Sequence, residues 1–140
     1  MENYEMNEMN GVSEITGKIV GAAVDVHRAF GPGLKREHYL KALIAEMRMR
    51  DNQIETNVKL PVVYKGIDLD EEGSCRLDIV VEGRVLVRVV AMDEIKDIHE
   101  AQLFTCLKTS GLECGMMINF NTVRLKDGIY RRNNKLTNEL

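Results

Sequence analysis

Residues 77–90 read LDIVVEGRVLVRVV and carry the strongest β-strand signal in the chain. The runs 77–81 and 85–90 are apolar except for Asp78 and Arg88, and Glu82-Gly83 between them suits a tight hairpin turn. Apolar neighbours on both sides of each charge indicate a sheet that is covered on both faces. Because burying an unpaired charge is costly, we expect Asp78 and Arg88 to be paired or to lie at an exposed rim.

Helical patterns lie on both sides of this hairpin. Apolar residues three or four apart predict a helix over 13–30, and Gly31-Pro32-Gly33 ends it before a second helix around 40–47. A third helix is predicted over 98–110, with Gly111 as its C-terminal cap. The other predicted strands are 54–60 with 62–64, 114–120 and 129–130. The order is therefore α-α-β-β-β-α-β-β, a mixed α/β fold in which helices pack on a central sheet.

The chain is predicted to contain one domain, since 140 residues is close to the usual domain size. Residues 1–11 lack sustained periodicity and are predicted to form a flexible tail. The domain is predicted over 12–132, and 133–140 as a polar tail. The sequence shows neither a signal-peptide pattern nor an apolar run of about 20 residues, so we expect a cytoplasmic protein with no membrane partner.

Charge and cysteine content exclude several classes of site. The net charge of −3 provides no overall attraction for nucleic acid, so a polyanion site would have to be a local patch. Cys75, Cys106 and Cys114 lack the spacing of a zinc site or a CxxC pair, which predicts reduced thiols that pack as small core residues. Neither a glycine-rich phosphate loop nor a Gly-x-Ser-x-Gly elbow is present in the sequence.

Eight short segments form a pattern that extends over residues 13–132. They are 19–27 (IVGAAVDVH), 31–34 (GPGL), 39–43 (YLKAL), 60–66 (LPVVYKG), 76–83 (RLDIVVEG), 99–103 (HEAQL), 115–121 (GMMINFN) and 125–129 (LKDGI). In this order they resemble the GxxExxxY proteins, which belong to the RecB-like side of the PD-(D/E)XK nuclease superfamily. The resemblance implies a restriction-endonuclease-like fold, with a four-stranded core sheet flanked by helices and a metal-dependent nuclease site at one edge.

The resemblance also implies that this site is degenerate. An intact site holds Mg²⁺ between carboxylates from a helix and two strands, and a lysine helps to activate water. The first strand carboxylate is present as Asp78. The second falls on Arg88, the lysine falls on Val90, and the helix carboxylate falls on Arg36.

Three further positions of the family pattern lie in the helices. Gln102 and His27 are retained and, with Asp78, are interpreted as vestiges of the catalytic set, whereas the expected tyrosine is Cys106. The charges at positions 36, 78, 88 and 90 sum to +1, which repels Mg²⁺, so we expect neither a metal nor another cofactor. We expect an arginine to pair with Asp78 in the place of the metal.

These substitutions predict a catalytically inactive nuclease homologue rather than an enzyme. In the first interpretation the altered cleft binds nucleic acid or another phosphate ligand through Arg36 and Arg88. The first alternative is a protein–protein interaction or self-association module, active as a homo-oligomer, that keeps the fold only as a scaffold. The second alternative is a Mg²⁺-dependent endo- or exonuclease with a rearranged ligand set: Asp78, Glu37 and either His27 or Glu100.

Overall fold

The computed structural model describes residues 2–134 of the protein, with side chains from Gly11 onward. Residues 2–134 contain three α-helices: α1 (Glu2–Phe30), α2 (Arg36–Met49) and α3 (Asp97–Ser110). The strands are β1 (Ile54–Lys59), β2 (Val63–Tyr64), β3 (Ile67–Asp68), β4 (Arg76–Val81), β5 (Val85–Val90), β6 (Cys114–Asn119) and β7 (Ile129–Asn133), with a short 3₁₀ helix at Leu125–Gly128. None of the helices in residues 2–134 is long and apolar enough to cross a membrane.

Five strands form one mixed sheet in the order β1-β4-β5-β6-β7. The β5–β6 pair is parallel and the other neighbours are antiparallel. Parallel neighbours need a crossover connection, which α3 provides between β5 and β6. The predicted α/β fold, with helices flanking a mixed sheet, is confirmed. The hairpin over residues 77–90 is also present, with Glu82 and Gly83 at positive φ in its turn.

Both faces of the sheet are covered, as the apolar context of residues 77–90 predicts. On one face, Ile79 and Val87 pack against α1 and α2 in a buried cluster that includes Ile19 and Leu43. On the other face, Val80, Leu86 and Val90 pack against α3 in a second cluster. Alternate residues of β4 and β5 therefore enter two separate cores.

The structure corrects the sequence-based picture at four places. Helix α1 begins at Glu2 rather than near Ser13, so residues 2–11 are helical. The segment 67–74, interpreted as a turn, contributes β3, which pairs with β2 in a separate small hairpin. Cys75 is exposed because it lies in a loop, so the prediction of core packing fails for this thiol. At the C-terminus, Asn133 belongs to β7, whereas residues 135–140 of the predicted polar tail lie outside the described residues.

A buried tyrosine fixes the turn between α1 and α2. Tyr39 is 0% exposed, and its ring stacks on Phe120 with centroids 4.8 Å apart. Its hydroxyl donates to the carbonyl of Gly31 (2.6 Å) and accepts from the backbone N–H of Leu34 (3.0 Å). Gly31 and Gly33 both have positive φ, as the sharp turn requires. The start of α2 is thereby held against the sheet, which places Arg36 at the sheet surface.

Candidate functional site

The candidate site lies where strands β4 and β5 separate. Their ladder ends at the pair Ile79 and Val87, so the backbone of Val89 has no partner in β4. The N–H of Val89 donates instead to Oδ2 of Asp78 (3.0 Å), and its C=O accepts from Nε of Arg36 (2.8 Å). Two side chains thus replace the backbone bonds that the ladder no longer supplies.

Arg36 and Asp78 also form an ion pair between Nη2 and Oδ1. The side chain of Asp78 is 17% exposed and that of Arg36 is 46% exposed, so the pair lies near the surface with its carboxylate largely shielded. Both carboxylate oxygens of Asp78 are therefore engaged, one by the guanidinium and one by the N–H of Val89. The arginine expected beside Asp78 is present, and it comes from α2.

Arg88 lies half-buried on the α3 face of β5. Within residues 11–134, its guanidinium has no hydrogen-bond or ion-pair partner. Its charge reaches Cys106 on α3: burial raises the pKa of the Cys106 thiol, and Arg88 partly opposes that rise. Because Arg36 neutralises Asp78, Arg88 is left as the unpaired cation of the candidate site among the described side chains.

The lysine position of the family pattern is part of the core. Val90 is 4% exposed and belongs to the same buried cluster as Leu86 and Leu103. Its carbonyl accepts the N–H of Phe120 (3.0 Å), which continues the β5–β6 pairing beyond the strands. A charged side chain at position 90 would lose its hydration, so this buried position favours an apolar side chain that packs in the core.

His27 and Gln102 have surroundings that differ from those of Asp78. Nε2 of His27 lies 2.8 Å from the carbonyl oxygen of Thr122, which fixes the proton on that nitrogen and ties α1 to the loop after β6. Gln102 is exposed on α3. Neither side chain forms a hydrogen bond with Asp78 in the described part of the chain.

Two asparagines that were not predicted as site residues, Asn119 and Asn121, form hydrogen bonds that connect the loops after β5 and β6. Asn119 is 3% exposed; its Oδ1 accepts from the N–H groups of Met92 (3.0 Å) and Asn121 (3.1 Å), and its Nδ2 donates to the Met92 carbonyl (2.9 Å). Asn121 accepts from the N–H of Gly33 and donates to Asp93. The only sequence signal for them was a polar residue at the end of an apolar strand.

Comparison with family models supplies the identity of this fold. The model of the PD-(D/E)XK nuclease superfamily matches residues 13–132. The chain belongs to this superfamily. A search of the curated proteins and a search of the solved structures found no match. The closer resemblance to the GxxExxxY proteins stays a prediction.

Membership of the PD-(D/E)XK superfamily implies a divalent cation, and the residues of this cleft do not fit one. Mg²⁺ takes oxygen ligands at short distance, but Asp78 is the one carboxylate at the family positions and both of its oxygens are engaged. Among residues 11–134, no three His, Cys, Asp or Glu side chains are grouped closely enough to share a metal ion. The rearranged set of Asp78 with Glu37, His27 or Glu100 is not assembled there.

The shortage of free carboxylates at this site indicates which substitutions would give the PD-(D/E)XK domain affinity for a metal ion. The double substitution Arg36→Glu/Arg88→Glu frees Asp78 and places two further carboxylates beside it. We expect its unfolding free energy to rise on addition of Mn²⁺, by about 2.7 kcal/mol at 100 times the dissociation constant. Thermal melts with and without MnCl₂ measure the effect. The control is Arg88→Glu alone, which leaves Arg36 on Asp78; an equal Mn²⁺ shift in this control or in the unchanged protein would contradict the assignment.

Proposed function

We propose that this PD-(D/E)XK domain binds the phosphodiester backbone of nucleic acid at the surface around Arg88 and does not cleave it. The observation that carries the proposal is the half-buried guanidinium of Arg88, which has neither a hydrogen-bond nor an ion-pair partner within the described side chains. Guanidinium groups bind phosphate oxygens through two parallel hydrogen bonds, and a half-buried cation is screened less by salt than an exposed one.

The charges of the candidate site leave one positive charge that can attract an anion. Arg36 and Asp78 cancel each other, and Arg88 contributes one positive charge. The exposed Lys35 at the N-terminal cap of α2 is balanced by Glu37 in the first turn of that helix. The protein carries a net charge of −3, so attraction for a polyanion is confined to this part of its surface.

The proposal of binding without cleavage rests on the same side chains. Hydrolysis in this superfamily uses a metal and a lysine, but here Arg36 occupies an oxygen of Asp78 and the lysine position is the core residue Val90. No group at these positions is free to activate water.

We expect binding to weaken about tenfold in Arg88→Gln, with the slope of log affinity against log salt reduced by about 1. Fluorescence anisotropy with short single- and double-stranded DNA and RNA at 50 and 200 mM salt measures both quantities. The matched control is Arg48→Gln, which removes the same charge from an exposed position near the end of α2. Equal weakening in both variants would show only a net-charge effect, and no binding at 50 mM salt would end the proposal.

A nuclease assay tests separately whether the protein cleaves nucleic acid. We expect purified protein to leave supercoiled, linear and single-stranded DNA intact with either Mg²⁺ or Mn²⁺. Nicking that disappears in Asp78→Ala would overturn this part of the proposal and establish the rearranged nuclease instead. Nicking that persists in Asp78→Ala would indicate a contaminating nuclease.

A further inference from the structure

The small hairpin formed by β2 and β3, together with the residue that follows it, exposes four large apolar side chains. Val63, Tyr64, Ile67 and Leu69 are each 58–61% exposed. The turn at Lys65-Gly66 has positive φ at both residues, which is the conformation of a tight two-residue hairpin. We call residues 62–74 the arm.

An arm of this kind is poorly supported by the domain itself. A two-stranded hairpin is marginally stable in water unless its side chains pack against something, and contiguous exposed apolar groups mark interaction surfaces. The arm also carries four acidic residues against one lysine, a net charge of −3. Because the arm is acidic and exposes apolar side chains, a surface complementary to it has to be basic and apolar.

The opposite edge of the sheet has that chemistry. Val123 is 88% exposed, and residues 123–132 carry four basic residues against one acidic residue, a net charge of +3. This segment includes most of β7, the last strand of the sheet, and the outer edge of β7 has no strand partner within residues 2–134. An open edge strand presents unpaired backbone N–H and C=O groups, to which another chain can bind. We call residues 123–132 the basic edge.

We propose that copies of this chain associate head to tail, with the arm of one copy bound to the basic edge of the next. The opposite net charges of the two segments, together with the exposed apolar side chains of the arm and of Val123, make the two surfaces complementary. Because the two segments lie at different edges of the sheet, such contacts join successive copies into a ring or a filament. This inference is independent of the proposed nucleic-acid site, because it uses neither Arg36 nor Arg88.

Charge reversal tests this pairing directly. The arm variant is Glu71→Lys/Glu72→Lys, and the edge variant is Arg124→Glu/Arg131→Glu; all four side chains are exposed. Arg132 is left unchanged because its guanidinium packs 4.3 Å from the ring centre of Phe104. Asp70 is left unchanged because it holds the base of the arm: bonds from Cys75 and Ser74 lower the pKa of its carboxyl, as expected for a carboxylate held by several donors.

Size-exclusion chromatography with light scattering measures the outcome. We expect a mass of two or more chains for the unchanged protein, the single-chain mass for each variant alone, and again two or more chains when the two variants are mixed. The mixture restores both contacts, since a basic arm meets an acidic edge and an acidic arm meets a basic edge. A monomeric unchanged protein at about 100 µM, or variants that associate alone as well as they do in the mixture, would overturn the proposal. Restoration on mixing also shows that both variants are folded.

Discussion

Replacement of Tyr39 by alanine is expected to lower the free energy of unfolding by about 4 kcal/mol. The side chain is fully buried and stacked on Phe120, so its removal leaves a cavity between α2 and the sheet. Its hydroxyl also joins the carbonyl of Gly31 to the N–H of Leu34, and both groups lose this partner. Urea titration followed by circular dichroism measures the change.

Two tyrosine variants separate the contributions of burial and hydrogen bonding. Tyr39→Phe keeps the stacked ring and is expected to cost about 1–2 kcal/mol through the lost hydroxyl bonds. Tyr64→Ala removes the same side chain from an exposed position and is expected to change stability by less than about 0.5 kcal/mol at low protein concentration. A loss in Tyr39→Ala no larger than that in Tyr64→Ala would contradict the role assigned to the buried ring.

Replacement of Asp78 by alanine is expected to cost about 2–3 kcal/mol. The larger part comes from the N–H of Val89, which loses its acceptor at a point where β4 no longer supplies one. The ion pair with Arg36 contributes up to about 1 kcal/mol, because the guanidinium is nearly half exposed and water screens the attraction. Thermal and urea unfolding measure the loss.

A double-mutant cycle assigns the loss to its two sources. Arg36→Met removes the ion pair and leaves the bond from Val89 to Asp78, whereas Asp78→Asn keeps an acceptor for that bond and removes the charge. We expect a coupling energy of about 1 kcal/mol between Arg36→Met and Asp78→Ala, and a smaller loss in Asp78→Asn than in Asp78→Ala. An unfolding midpoint that does not move in Asp78→Ala would show that the carboxylate supports no structure.

The fold was predictable wherever a local pattern has one physical meaning. The strands within residues 77–90 and the helix α3 follow from apolar alternation, helical spacing and the cap at Gly111, which adopts positive φ as expected. The strand over 62–64 was predicted and corresponds to β2, but β3 and its pairing with β2 were missed because the side chains of this hairpin are exposed and burial imposes no pattern on them. The early start of α1 was missed for a related reason, since residues 2–11 show no apolar periodicity.

The candidate site was predictable in its residue types but not in its contacts. A charge at Asp78 inside an apolar strand predicts a partner, and the family pattern suggests Arg36 and Arg88 as candidates. The choice of Arg36 depends on the turn that Tyr39 fixes and on the separation of β4 from β5, which are properties of the assembled sheet. The buried amide of Asn119 was missed because one polar residue at a strand end predicts neither its burial nor its three bonds.

The three-way contact of Arg36, Asp78 and Val89 limits what a single substitution can change at this site. A carboxylate at position 36 alone would face Asp78 and would remove the donor to the Val89 carbonyl. A carboxylate at position 88 alone would leave both oxygens of Asp78 engaged. Because the guanidinium of Arg36 also supports the backbone of β5, at least two positions have to change together before Asp78 could become a metal ligand.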